Sequence, residues 1–386
     1  MTKCGNSPSC STAPESGERA LVLLREQLEC IPALLLIRLR SLGDSILTLP
    51  LLEALHLWRP ELRLDVLADR QFAPVFARHP AVREVLVVER RETRRWAKSR
   101  VVIELARRKY PAVFNLHGGT TSLLYSLASL APLRIGHQHY RMRWTYSFLI
   151  PSAAEVWRKE RPHTVEHQLS LMRVLGLPIP DSPSATLHLE EGACDHVRER
   201  LRRAGITPQG YVLIHPTATL HTKQWQEENF ARLADHLFEK HGLPVILTSA
   251  PGEAKVLYEV GRHALRTHHY WSDLNLEGLF ALIRGACLFV GNDSGPTHAA
   301  AALARPIVVV WGSSSFSAWH PWGTNYEVVR SDLPCIPCSG YSCAAFGTPK
   351  CIRDIPVERV IAACDRMLAR SRPWESPEGS MGTAKA

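Results

Sequence analysis

The sequence predicts an α/β protein built from two doubly wound parallel sheets, one in each half of the chain. Apolar runs of strand length alternate with helix-forming stretches, which is the pattern of such sheets. The chain has 386 residues, too many for one ordinary core and suited to two domains. A proline-containing connection between Ile150 and Pro183 interrupts the alternation and separates the halves.

The first half is assigned to residues 19–170. Apolar runs bounded by turn residues predict strands, and stretches with apolar residues on one face predict helices. The strands are Ala33–Leu39, Leu64–Ala68, Val85–Val88, Ala112–Leu116 and Arg134–Gly136. The helices are Ser45–Trp58, Gln71–Arg78 and Ser122–Leu130. Residues 1–18 are rich in Ser, Pro and Gly and are predicted to be disordered.

The second half is assigned to residues 171–355, where the same alternation begins again. The strands are Tyr211–His215, Pro244–Thr248, Leu288–Val290 and Ile307–Val310. The helices are Thr164–Leu175 in the connection, then Val197–Ala204, Glu227–Lys240, Gly252–Leu265, Leu276–Arg284 and Thr297–Leu303. A last helix within residues 356–370 is expected to pack back on the first half, and the polar tail 371–386 to be disordered.

The composition favours a globular protein with an anionic partner. Hydrophobic residues make up 45% of the chain, and the net charge is +9. No apolar run approaches the roughly 18 residues that span a bilayer, and no signal peptide is recognisable at the N-terminus. We therefore expect a cytoplasmic protein, in which the ten cysteines are reduced thiols or metal ligands.

The stretch Cys287–Gly312 predicts a ligand site. It contains two apolar strands around an alanine-rich helix, and the loop Asn292–Gly295 lies between the first strand and the helix. Ligands bind at the carboxyl ends of strands in open α/β sheets, and a helix N-terminus attracts phosphate. An ordinary βα turn uses the same residue types, but Asp293 and His298 add an acceptor and a donor at the same place.

Two further loops allow a structural or a functional interpretation. Ser41 to Asp44 follow the first strand, and Asp44 can cap a helix or act as a general base; sequence alone favours the cap. In the loop after the strand Tyr211–His215, Thr217 and Thr219 can donate to phosphate oxygens, and Lys223 can offset their charge. The alternative there is a surface loop with a solvated lysine. A GxGxxG dinucleotide fingerprint is absent.

A cysteine-rich loop at residues 334–352 predicts a structural metal site. Its cysteines have the spacing C-x2-C-x4-C-x7-C and are Cys335, Cys338, Cys343 and Cys351. Four thiolates suit tetrahedral zinc or iron. Free or redox-active thiols are the alternative.

A basic cluster at Arg90–Lys109 is most simply a solvated helix face. It also suits contact with anionic headgroups or with a phosphorylated acceptor, together with Trp96 and the later residues Arg141, Arg143, Trp144, Tyr146, Trp157, Arg158 and Lys159. A nucleic-acid partner is not expected, because no recognised binding module accompanies the charge.

Taken together, several motifs resemble the lipopolysaccharide heptosyltransferases, which are inverting enzymes of GT-B architecture with two Rossmann-like domains facing a central cleft. The motifs are IRLRSLGDSILTLPLLEAL, HPTATLHTKQW and FVGNDSGPTHAAAALARPIVVVWG, and the cysteine loop PCIPCSGYSCAAFGTPKC looks like that of one branch of the family. The resemblance extends from about Ala33 to Leu368 in the same order.

The resemblance implies transfer of L-glycero-D-manno-heptose from ADP-heptose to the inner core of lipopolysaccharide, at the cytoplasmic face of the inner membrane and without a catalytic metal. By position, Asp44 matches the proposed base, Lys223 the lysine that holds the donor diphosphate, and Asp293 the residue that contacts the transferred sugar. The remaining matches are Ser41 and Gly43 in the acceptor loop, Ser294, Gly295 and His298 in the phosphate seat, Thr217 and Thr219 in the phosphate loop, and Glu253 near the adenosine ribose. Thr217 stands where glycine is frequent in the family.

Three other functions are compatible with parts of the sequence. A related transferase would use another nucleotide sugar, or a protein or small-glycan acceptor. An NAD-linked oxidoreductase or epimerase would also have Rossmann-like halves, but it lacks support without the glycine fingerprint. A non-enzymatic protein binding nucleic acid or anionic lipid would not need Asp44, Lys223, Asp293 and His298 together.

Overall fold

The structure, a computed structural model, describes residues 13–89, 95–181, 183–338 and 340–370. The strands of these residues are β1 Ala33–Ile37, β2 Arg63–Asp69, β3 Val82–Val88, β4 Ala112–Asn115, β5 Leu133–His137, β6 Phe148–Ile150, β7 Val212–His215, β8 Val245–Thr248, β9 His269–Trp271, β10 Leu288–Asn292, β11 Ile307–Trp311 and β12 Tyr326–Arg330. The helices are α1 Ala13–Cys30, α2 Leu42–Ile46, α3 Leu49–Trp58, α4 Arg95–Arg108, α5 Thr120–Ala128, α6 Ala153–Trp157, α7 Thr164–Val174, α8 Glu191–Arg203, α9 Glu227–His241, α10 Ala254–His263, α11 Leu276–Arg284, α12 Gly295–Ala302, α13 Phe316–Trp319, α14 Lys350–Arg353 and α15 Val357–Arg370.

The strands of the described residues form two six-stranded sheets with the same topology. The first has the order β3-β2-β1-β4-β5-β6, and the second has the equivalent order β12-β11-β10-β7-β8-β9. All neighbouring strands are parallel. The order reverses beside β1 in the first sheet and beside β7 in the second, which places a ligand crevice at the carboxyl end of each of these strands. The predicted fold class is confirmed.

The central strands are buried because helices cover both faces of each sheet. Every residue of β1, β7, β10 and β11 is buried. Parallel strands of this kind are apolar throughout rather than alternating, as Leu34–Leu36 and Val308–Val310 show. The short strands β6, β9 and β12 lack such a long run of buried apolar residues, and the sequence did not predict them.

The N-terminal region departs from the prediction of disorder for residues 1–18. Helix α1 begins at Ala13, while residues 1–12 lie outside the described residues, as does the tail 371–386. Leu24 and Leu28 of α1 are buried in the core. The Arg59 guanidinium donates to the carbonyls of Leu28 and Ile31 at 2.7 and 3.1 Å, which satisfies the otherwise open end of the helix.

Two predicted boundaries of the halves are wrong. Helix α7 runs across the boundary placed at residue 170, so the first half extends to Val174. The C-terminal helix α15 does not pack back on the first half: Val360 and Met367 lie in a core with Val308 and Leu247 of the second sheet. Trp225 also donates from its indole to the Ile355 carbonyl, which fixes the start of α15 there. The described sheets are therefore connected through residues 175–190.

Local differences from the predicted helices have simple causes. The helix predicted at Ser45–Trp58 is two helices, because Leu47 and Thr48 end α2 and Pro50 begins the next turn in α3. The basic segment forms α4 from Arg95, whereas residues 90–94 lie outside the described residues. Among the described residues, the structure contains no helix with the length and apolar character needed to cross a bilayer.

Candidate active site

The carboxyl edges of the two sheets meet at one cleft, where α2 of the first half contacts α12 of the second. A β-carbon on Gly43 would lie 2.9 Å from Cδ2 of His298, and one on Gly295 would lie 2.7 Å from Cβ of Leu42. Real β-carbons essentially never approach other atoms this closely. Glycine at these two positions therefore allows the halves to come together beside the predicted site.

A cavity of about 620 Å³ opens beside this contact. Both halves contribute predicted site residues to its lining, namely Ser41, Gly43, Thr217, Thr219, Glu253, Ser294 and Gly295. Its volume is within the range of nucleotide and cofactor pockets. The lining combines backbone and hydroxyl donors with the apolar side chains of Leu274 and Leu279.

Lys223 and Asp293 form an ion pair in the second half, and neither residue is in the lining of this cavity. The Lys223 ammonium donates to Oδ2 of Asp293 at 2.7 Å, and the Ser314 hydroxyl donates to the same oxygen. The Asp293 side chain is 4% exposed and that of Lys223 is 21% exposed. The lysine is thus held by a buried carboxylate in a fixed position while its outer side remains accessible.

The N-terminus of α12 offers unused polar groups. Ser294 is the N-cap residue, but its hydroxyl makes no cap hydrogen bond, and Oγ has no partner among the described residues. Nδ1 of His298 is likewise buried without one. Burial lowers the pKa of His298. The negative charges of Asp293 and Asp44 partly offset this effect, and the positive charge of Lys223 adds to it. The imidazole is therefore neutral at pH 7 and lies near charged groups of both halves.

Asp44 has a structural role and is also placed for chemistry. It is the third residue of α2, and its Oδ2 accepts from the Ser41 amide at 3.2 Å and the Ser41 hydroxyl at 3.0 Å. Ser41, rather than Asp44, is the N-cap. The other oxygen, Oδ1, lies 3.6 Å from Nη1 of Arg38, and the Asp44 side chain is 27% exposed. Asp44 thus combines a fixed position with an accessible carboxylate oxygen.

In the phosphate loop, Thr217 differs in one contact from the prediction. Its hydroxyl donates to Oε2 of Glu253 at 2.7 Å, whereas the sequence analysis expects it to donate to a phosphate oxygen. This bond positions Glu253 at the cavity wall. Thr217 and Glu253 therefore act as a pair, a relation that their separation of 36 positions in the sequence conceals.

The cysteine loop packs against the loop that carries Lys223. The Thr222 hydroxyl donates to the Gly340 carbonyl, and the Cys338 amide donates to the Ser313 carbonyl at 2.9 Å. Burial raises the pKa of the Cys351 thiol to about 11, and the other three thiols of the loop contribute to the shift. Yet no three of the four sulfurs lie within 4.8 Å of one another. Within the described residues, only a group on α9 and α15 meets that criterion, made of His236, His241 and Asp365.

Sequence reasoning missed a group of residues in the first half. Arg38 follows β1, His117 follows β4, and His137 ends β5, so the parallel sheet brings all three to one edge. His167 of α7 stacks on His137 with 4.1 Å between ring centroids. The signal that would have found them is their common position at the carboxyl ends of strands.

Comparisons with known proteins agree with the fold and with the family that the motifs resemble. The sequence profile of glycosyltransferase family 9 (heptosyltransferase) matches residues 99–347. The chain is 26% identical to lipopolysaccharide heptosyltransferase 3 of Escherichia coli K12 over 349 residues, covering 87% of this chain and 98% of that protein. It is 28% identical over 366 residues to lipopolysaccharide heptosyltransferase 1 of Pseudomonas aeruginosa, covering 86% of this chain and 97% of that one. The crystal structure of a family 9 glycosyl transferase from Veillonella parvula superposes with a TM-score of 0.75 at 22% identity, covering 88% of this chain and 98% of that one.

Proposed function

The chain belongs to glycosyltransferase family 9, since the family profile covers most of it, and on that premise we propose that it transfers L-glycero-D-manno-heptose from ADP-heptose to the inner core of lipopolysaccharide. One observation carries the proposal. The His298 ring of the second half packs against Gly43, the residue before Asp44, where a β-carbon would lie 2.9 Å from Cδ2 of the ring. In the second half, Lys223 is held by Asp293 at 2.7 Å, and Asp293 lies in the loop before α12, the helix that carries His298.

In the proposed reaction, Asp44 is the general base. The acceptor hydroxyl attacks the anomeric carbon of the heptose, its proton passes to Asp44, and the bond from that carbon to the ADP oxygen breaks. Attack from the Asp44 side and departure towards the second half occur on opposite faces of the sugar, so the anomeric configuration is inverted. Arg38 and Ser41 hold the Asp44 carboxylate in place for this step.

Lys223 and the N-terminus of α12 would stabilise the leaving ADP. Negative charge develops on the diphosphate as the bond breaks, and preorganised donors at that place act mainly in the transition state. Ser294 and Gly295 line the cavity, and the Ser294 hydroxyl has no partner among the described residues. These groups supply the charge compensation of the step, so the proposal assigns no divalent cation to the reacting atoms.

The direct test is to incubate the protein with ADP-heptose and truncated core acceptors and to measure product masses. A gain of one heptose is expected with an inner-core acceptor, and none with Asp44→Asn. Parallel reactions with other nucleotide sugars, and with protein or small-glycan acceptors, test the related transferases. Transfer of a different sugar in preference to heptose would contradict the assignment of the donor.

We further propose that the four cysteines of the loop bind a structural zinc or iron ion. The donor set is four cysteines of one loop, and their thiolates are soft ligands that suit zinc and iron. Binding would draw the sulfurs closer than they lie here. Because Thr222 contacts the same loop at Gly340, the metal would also support the position of Lys223.

Replacing Cys335 and Cys338 together by Ser is expected to remove the bound metal and to lower both the melting temperature and kcat. Metal content would be measured by elemental analysis of the purified protein, and unfolding by calorimetry. Cys30→Ser is the matched control, because Cys30 is exposed on α1 and far from the loop in sequence. Wild-type protein that contains no zinc or iron would rule out the site.

We also propose a peripheral contact with the cytoplasmic face of the inner membrane through the segment 141–144. All four residues are exposed, and Trp144, which is 80% exposed, follows the cationic residues Arg141 and Arg143. Aromatic and basic side chains together favour anionic headgroups. The segment lies beside the first half of the cleft, where a lipid-linked acceptor would enter.

Replacing Trp144 by Ser should weaken flotation with vesicles that contain anionic lipid, while transfer to a lipid-free acceptor stays unchanged. Trp58→Ser serves as a control for loss of a partly exposed tryptophan elsewhere in the first half. Equal flotation of wild type and Trp144→Ser would contradict the contact.

A further inference from the structure

The first half of the cleft contains a recess walled by imidazole rings. It is formed by His117, His137, His139 and His167 around the Arg38 side chain, and we call it the imidazole recess. The ring centroid of His137 lies 4.1 Å from that of His167 and 5.6 Å from that of His139. His139 is exposed at the mouth, His117 and His167 are half-buried, and Arg38 and His137 are buried.

Arg38 at the bottom of the recess has unused donors. Its side chain is 5% exposed, and the one ion pair it makes among the described residues is the 3.6 Å contact of Nη1 with Asp44. Nε and Nη2 are buried without a hydrogen-bond partner. Burying a guanidinium with unpaired donors is unfavourable unless a ligand or another group completes it. Both ring nitrogens of His137 are likewise buried without a hydrogen-bond partner.

The imidazoles are neutral donors or acceptors at pH 7. Burial, followed by the charge of Arg38, lowers the pKa of His117 to about 4. Burial and the neighbouring His139 and Arg38 lower that of His167 to about 4 as well. The positive charge of the recess therefore resides on Arg38, and the rings can turn N–H groups towards a bound anion without themselves being charged.

The recess shares two of its histidines with a neighbouring cavity. His117, His139 and Tyr140 also line a cavity of about 380 Å³, together with Gly118 and Gly119 at the start of α5. Gly119 is the N-cap residue of α5 and has no side-chain cap, so the first amides of this helix face the same region. Arg141 adds an exposed cation at the rim.

We propose that the imidazole recess binds an anionic group of the acceptor sugar, either a carboxylate or a phosphate monoester, and so presents the acceptor hydroxyl to Asp44. The inference rests on the proposed function and specifies its acceptor. The recess belongs to the first sheet, whereas the cavity assigned to the donor is lined mainly by the second half, so the two ligands occupy different cavities.

Arg38 is a positioning residue in this arrangement because it connects the recess to the base. In the absence of an anion, its charge is directed at Asp44 over 3.6 Å. An acceptor anion that accepts hydrogen bonds from Nε and Nη2 takes up part of that charge. The bound anion thus fixes the guanidinium, and with it the Asp44 carboxylate that it contacts, at the moment when the acceptor hydroxyl is present.

The kinetic test compares Arg38→Gln and His139→Gln with wild type on two acceptors, one with its anionic group intact and one with that group removed. Separate acceptor pairs, carboxylate against alcohol and phosphate against hydroxyl, identify the source of the charge. Arg38→Gln is expected to raise the KM of the charged acceptor by at least about tenfold and to leave the KM of ADP-heptose unchanged. It should abolish the preference for the charged acceptor. Arg232→Gln, an exposed arginine on α9, is the matched control.

A merely structural role for Arg38 would raise KM equally for both acceptors or would change the donor KM, and either result would overturn the proposal. Arg38→Lys should recover part of the preference because it restores the charge. If thermal unfolding shows that Arg38→Gln does not fold, the same comparison of acceptors is made with His139→Gln, which changes a residue at the exposed mouth of the recess. It should reduce the preference for the charged acceptor, and an unaltered preference would contradict the recess.

A binding experiment separates this inference from the proposed function. Inorganic phosphate is titrated by calorimetry into wild type and Arg38→Gln, each saturated with ADP so that the donor cavity is filled. Binding to wild type and loss in the variant support the recess even if no heptose transfer is found. Equal binding to both proteins, or binding to neither, would refute the recess while leaving the transferase activity intact.

Discussion

Asp44→Asn is expected to lower kcat by about 10²–10⁴-fold, the usual contribution of a general base, while ADP binding stays unchanged. Asn retains an oxygen that can accept from the Ser41 amide, so the start of α2 remains capped. The Asn amide is uncharged, however, and cannot take up the proton of the acceptor hydroxyl as the Asp44 carboxylate does in the proposed reaction. Single-turnover transfer measured beside ADP calorimetry separates loss of chemistry from loss of binding.

Asp273→Asn is the matched control for this substitution. Asp273 is a 68% exposed carboxylate that pairs with Arg200 on the surface of the second half. Its replacement should leave turnover within about twofold of wild type, as is usual for exposed ion pairs. If Asp44→Asn retained near-normal turnover, Asp44 would not be the base, and the cleft would need another proton acceptor.

Lys223→Met is expected to lower kcat by about 10²–10³-fold, because in the proposed reaction the lysine offsets the negative charge that develops on the leaving diphosphate. It should also weaken ADP binding, since the lysine attracts the diphosphate in the ground state. The variant leaves Asp293 buried at 4% exposure without its cation, so some loss of stability is expected as well. Calorimetry of ADP binding, kcat and thermal unfolding measure the three effects.

The double variant Lys223→Met with Asp293→Asn distinguishes catalysis from stability. Removing the unpaired carboxylate should restore the melting temperature without restoring kcat. Lys240→Met on α9 is the control for loss of a surface ammonium. Recovery of kcat together with stability would show that Lys223 acts only by compensating Asp293.

The fold was predictable because strand-length apolar runs and helical stretches follow each other with little ambiguity. Residues 288–290 and 307–310, for example, are buried in two neighbouring strands as expected. The edge strand β12 was missed because only Val329 of its residues is buried, so the apolar run is short. Helix α1 was missed because its first turn follows a Ser- and Pro-rich stretch, and its stability comes from burial of Leu24 and Leu28.

The two loops that were ambiguous in the sequence acquired their meaning from tertiary contacts. Lys223 and Asp293 are 70 residues apart and form an ion pair, which distinguishes the lysine from a solvated one. Asp44 completes a cap and lies beside Arg38, so the cap and the base are not exclusive alternatives. Arg38 lies within the predicted strand Ala33–Leu39, but the sequence does not indicate which groups its guanidinium contacts.

The attachment of α15 to the second sheet has a consequence for how a substrate enters. Both terminal helices pack on their own half, so residues 175–190 are the single covalent connection between the described halves, or lobes. The lobes can therefore rotate about this connection, because no second segment of the chain joins them. The glycine contact between α2 and α12 then acts as a stop that sets how far they shut. Donor and acceptor can enter while the lobes are apart, and shutting them brings base and leaving group to their working separation.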